Sequence, residues 1–83
     1  MNQELYYVVT NEVKENLVTG AKTLTGNKEV SLYEVLRNKL TLITSIPIMG
    51  EIKPEEAIDG YVLEMAPELF NENQERDFKL TQL

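Results

Sequence analysis

Carboxylates and amines make up nearly all of the reactive chemistry in this sequence. Its 83 residues include 14 Asp and Glu and 8 Lys and Arg but no His and no Cys. A Ser-His-Asp or Cys-His nucleophile therefore cannot be built, and no thiolate is present. Carboxylate pairs and lysines can act as acids, bases or Schiff-base groups, but only inside a pocket. A chain of this length buries roughly 60–65% of its unfolded surface, which leaves little material to wall one. The expectation is a protein without catalytic activity or cofactor. For metals, only hard cations that gather several oxygens are open. Glu51, Glu55 and Asp59 are spaced four apart and can share a helix face, yet the Asp-rich calcium-loop spacing is missing. An acidic helix start on a solvated face accounts for them, and no metal site is expected.

Gly20-Ala21-Lys22-Thr23 resembles the end of a phosphate-binding P-loop, in which backbone N–H groups and a Lys hold phosphates and a Thr reaches magnesium. The resemblance covers four residues. A strand–loop–helix nucleotide domain does not fit in this length, so a Gly within or beside a weak helix explains the segment better.

Charge is distributed unevenly. Residues 1–50 hold five acids and five bases, whereas residues 51–83 hold nine acids and three bases and account for the net charge of −6. Clustered Lys and Arg, which phosphate-backbone binding requires, are absent, so direct nucleic-acid binding is not expected. Some of the acids have local work. Glu55 and Glu56 sit where a helix N-terminus favours carboxylates, and Glu72 with Arg76 and Glu75 with Lys79 make i,i+4 pairs of the preferred order if that stretch is helical. Glu51, Asp59, Glu64, Glu68 and Asp77 are left over, with Tyr61 and Phe70 as apolar neighbours. These seven are the candidate partner-binding residues, and the partner they suit is a basic protein surface.

The elements that must position them read as an α+β fold in a single domain spanning residues 1–83. Leu5–Thr10 is apolar on both alternating faces and reads as an interior strand. Val13, Leu17, Ala21 and Leu24 recur at helical spacing between Asn11 and Gly26, with a hairpin partner around residues 17–23 as the rival. Ser31 with Glu34 forms a capping box, and Val30 with Val35 a hydrophobic staple, which predicts a helix over Ser31–Ile43 as the most secure of two to four short helices. Ile46–Met49 reads as an extended segment that Pro47 confines to an edge. Pro54 with Glu55 and Glu56 starts a second helix, against a rival hairpin turn at Asp59-Gly60. Pro67-Glu68 starts another short helix, and Phe78–Leu83 reads as a terminal strand.

The longest uncharged run, Leu40–Met49, is ten residues, about half of what a membrane-spanning helix needs. With no cysteine and no basic-then-apolar start, a cytoplasmic location is expected. A thin core without disulfide or structural zinc makes self-association a source of further burial, through Leu40–Met49 or the Tyr6/Tyr7 strand. Two functions follow as expectations. The first is a small acidic accessory or inhibitory protein that docks its acidic third on a basic surface, a format that suits phage and other mobile elements. DNA mimicry is the less favoured form of it, because the charge is sparser than the one per ~1.7 Å of a duplex. The second is a structural or regulatory homo-oligomeric subunit.

Overall fold

The computed structural model describes residues 3–83. Four strands form one mixed sheet of order β3-β2-β1-β4, built from β1 (Gln3–Glu15), β2 (Lys22–Leu36), β3 (Lys39–Ile48) and β4 (Phe78–Gln82). The one α-helix among the described residues, α1 (Pro54–Met65), and a 3-10 turn at Pro67–Leu69 carry the chain from β3 to β4. β1–β2 and β2–β3 are antiparallel, while β4 lies parallel to β1.

The helix expected over Ser31–Ile43 does not form. Val30, Leu32 and Glu34 alternate with Ser31, Tyr33 and Val35, and this period of two matches the pleat of β2, where Val30 and Leu32 are fully buried. The helical spacing of Leu32, Val35, Leu36, Leu40 and Ile43 coincides with two strands and the turn between them. Arg37 and Asn38 form that turn at φ 52° and 64°, the mirror-image geometry that suits the twist of a hairpin. An extra residue in β3 opposite the Leu32/Tyr33 step rotates Ile43 against the core.

The helix expected between Asn11 and Gly26 is also absent, and the rival hairpin partner begins at Lys22 and runs far beyond Thr23. Val13, Val18 and the three Thr residues of this stretch disfavour a helix. The Asn16 side chain accepts from the N–H groups of Val18 and Thr19 at 2.9 and 3.2 Å, and Gly20, at φ 74°, donates its N–H to the Asn16 carbonyl at 2.7 Å. Those bonds fix a tight reversal and send the chain back as β2.

Three other expectations hold. Leu5–Thr10 lies inside central strand β1, Pro47 sits on edge strand β3, and Phe78–Gln82 is β4. Pro54 opens α1, which rules out the hairpin turn at Asp59-Gly60. The fold is thus mostly β with one helix, in place of the two to four expected.

α1 packs on one face of the sheet. Leu5, Tyr7, Val30, Leu32, Ile48 and Phe78 meet Ile58 and Val62 there, and these eight side chains are the buried core. Each contributes on the order of 1.5–3 kcal/mol when fully buried. The opposite face has no covering layer among the described residues. Val35, Leu40 and Leu42 are about half exposed, and Tyr6 and Tyr33 lie beside them. The ends of β1 and β2 run past the rest of the sheet as a two-stranded arm carrying Val13, Leu17, Val18 and Leu24, all exposed.

Candidate interaction surface

α1 is amphipathic because Ile58 and Val62, four apart, face the sheet, which leaves Glu56, Gly60, Leu63 and Glu64 exposed. The helix ends at Ala66, whose backbone leaves helical geometry at φ −146° and ψ 63°, and Pro67 begins the 3-10 turn that carries exposed Glu68. This break separates Glu64 and Glu68, which would repel each other on a continuous helix.

Of the five acids set aside for a partner, Asp59 has an internal role. Arg76 grips it in two-point fashion, Nε to Oδ1 at 2.6 Å and Nη2 to Oδ2 at 2.8 Å. The same Nη2 lies 3.6 Å from Glu55 Oε2, and the Tyr7 hydroxyl donates to Glu55 Oε1 at 3.4 Å. Strand β1, helix α1 and the lead into β4 are thereby joined by one polar cluster. The pairs expected between Glu72 and Arg76 and between Glu75 and Lys79 do not form. Residues 71–77 make turns around the Asn71 carboxamide, which accepts from the N–H groups of Asn73 and Glu75 at 2.9 Å each. Sequence spacing cannot find the Arg76 contacts, since Asp59 lies 17 residues away and no local pattern encodes the distance.

The hydrogen bond and charge of Asp59 hold Arg76 even more firmly protonated than usual. Desolvation and the nearby Glu55 push the Tyr7 phenol up from its ordinary value, keeping it neutral. On the outer face, a 2.7 Å hydrogen bond to Glu4 Oε2 likewise raises the phenol of Tyr6.

The other candidates lie apart. Glu51 is in the β3–α1 connection beside Lys53, on the rim of an open groove of about 730 Å³ that Val9, Ile48 and Ile52 also line. Asp77 precedes β4 and donates its N–H to the Leu69 carbonyl at 2.7 Å. Phe70 packs edge-on against Phe78 at 5.6 Å and serves the core. Tyr61 is half-buried over a cavity of about 180 Å³ between α1 and the sheet, smaller than the ~300 Å³ at which ligand pockets begin. The seven candidates therefore do not form one patch; Glu64 is exposed on α1 and Glu68 on the turn that follows it, and Glu56 and Leu63, seven apart, share one side of α1.

No protein-family model, curated protein or solved structure matches this chain. Its own geometry carries the functional argument. Among the described residues no three acidic side chains converge as a metal site would need, and no helix is long and apolar enough to cross a membrane. Glu56, Glu64 and Glu68 make no ion pair among the described residues. Glu56 also stands in the first turn of α1, where the helix dipole favours a carboxylate, so its spacing in the sequence does not mark it as a contact residue.

Proposed function

We propose that this protein is a non-catalytic binding protein that docks the outward face of α1 and its following turn on a basic protein surface. The observation that carries the reading is the allocation of charge. Arg76 takes up Asp59 and Glu55, while Glu56, Glu64 and Glu68 stay exposed and unpaired among the described residues next to Leu63. Carboxylates flanking an apolar side chain give a partner both steering charge and a surface to desolvate. A cytoplasmic setting belongs to the same proposal and is supported by the absence of cysteine.

The test is affinity capture at low and high salt, comparing the native chain with Glu64→Lys/Glu68→Lys. The same retained protein should be weakened by salt and lost from the variant. Retention of that protein by the variant at full strength overturns the reading.

A further inference from the structure

The arm formed by the ends of β1 and β2 is a two-stranded ribbon, and such ribbons are marginal in water without a third strand or a packed face. Backbone alternation shows which groups remain open. The Tyr7 carbonyl points toward β4, where it accepts from the Leu83 N–H at 2.8 Å, whereas the Glu12 carbonyl points toward β2 and accepts from the Thr25 hydroxyl at 3.5 Å. Between Asn11 and Val13 the register with β2 shifts, one residue of β1 facing three of β2. The extra residues lie in β2, so β1 keeps its alternation, its odd-numbered residues aim at the β4 side, and β4 reaches only as far as Tyr7. The N–H and C=O groups of Asn11, Val13 and Glu15 face an edge that has no partner among the described residues.

We propose that this edge pairs with the same edge of a second copy of the chain, antiparallel and about a two-fold axis at Val13. Side-chain charge selects both the occupant and the register. With Val13 opposite the partner's Val13, Glu12 lies opposite the partner's Lys14 and Lys14 opposite the partner's Glu12, two opposite-charge cross-strand pairs. Centring the axis one residue earlier sets Glu12 against the partner's Glu12, and one residue later sets Lys14 against the partner's Lys14; both are repulsive. The arm has no net charge, since Glu12 and Glu15 balance Lys14 and Lys22. Two arms can therefore meet without the repulsion that the acidic α1 faces would bring. In the Val13 register Glu15, the last residue of β1, comes opposite the partner's Asn11. Leu17 and Val18, 95% and 94% exposed, lie in the turn at the tip of each arm. The two ribbons become one four-stranded arm, and an isologous contact of this kind closes as a dimer.

The dimer stands independently of the acidic-face reading, because it uses neither Glu64 nor Glu68. Light scattering after size exclusion, at tens of micromolar, should give a dimer for the native chain, at least tenfold weaker association for Glu12→Lys, and a restored dimer for Glu12→Lys/Lys14→Glu, with circular dichroism confirming that each is folded. A native monomer, or a Glu12→Lys variant as dimeric as the native protein, overturns the proposal. Because the chain has no cysteine, Glu12→Cys and Lys14→Cys proteins can be mixed under mild oxidation. Directly opposed positions lie within disulfide reach, at Cα separations of about 4.5–5.5 Å, so the mixture should cross-link more than either variant alone. Equal cross-linking in the three samples overturns the register.

Discussion

Arg76 illustrates how one side chain can decide the roles of several others. It sits where β1, α1 and the approach to β4 converge, and it removes Asp59 from the exposed charge while holding Glu55 near Tyr7. Arg76→Ala would leave two carboxylates facing each other across a partly buried gap. Charged hydrogen bonds contribute about 1.5–3 kcal/mol, and the partial exposure of this pair lowers the expected loss to about 1–2 kcal/mol; chemical denaturation measures it. Arg76→Lys should recover only part, because an ammonium cannot reproduce the two-point fork. Tyr6 and Tyr7 supply a pH dependence. Both phenols are raised above 10.0 in the folded protein, so the neutral form is favoured by folding. The stability they contribute is whole below the unfolded value and is lost as pH rises through the higher folded values. Urea midpoints should accordingly fall as pH rises past 10.0, and Tyr6→Phe/Tyr7→Phe should flatten that fall. An unchanged slope in the double variant would show that other groups are responsible.

At the scale of elements, the hairpin of β2 and β3 carries avoidable strain. Arg37 occupies a left-handed backbone at φ 52° without glycine's freedom or asparagine's local hydrogen bonding, at a cost of about 1–2 kcal/mol. Arg37→Asn/Asn38→Gly should raise the thermal midpoint by several degrees, on the scale of ~4–8 °C per kcal/mol for a domain of this size; calorimetry would show it. The same turn explains why β2 and β3 were hard to read. Val30 to Val35 satisfy a helical capping box and a strand alternation together, and the choice between them is made by pairing with β1 and β3, distant in sequence. β1, β4 and the start of α1 were legible because each has a signal of its own: an unbroken β-branched and aromatic run, a terminal alternation, and a proline followed by two acids. The arm was not, since Val13, Leu17, Ala21 and Leu24 mimic a helix while the deciding features are Asn16 and a left-handed Gly20. The candidate site was partly legible. Glu64 and Glu68 are exposed as expected, but Phe70 and Asp59 serve the interior because their partners, Phe78 and Arg76, come from elsewhere in the chain.

The whole molecule is elongated. Its radius of gyration of 14.8 Å exceeds the ~12 Å of a compact domain this long, and its extents are 48 × 32 × 20 Å. Among the described residues thirteen large apolar side chains are exposed, against eight buried. In the two proposals the arm is neutral and the acidic side of α1 negative, so ionic strength should act on them differently. Raising salt should weaken capture of a basic partner strongly and a hydrogen-bonded strand pairing little. The parallel seat of β4 on β1 adds a consequence for biosynthesis. β1, β2 and β3 are neighbours in sequence and can pair as they leave the ribosome, but Phe78–Gln82 reaches its place only after the helix and its turns have been made. During that interval the nascent sheet presents the full length of β1 as an open template, and neighbouring nascent chains on one message are well placed to find it first.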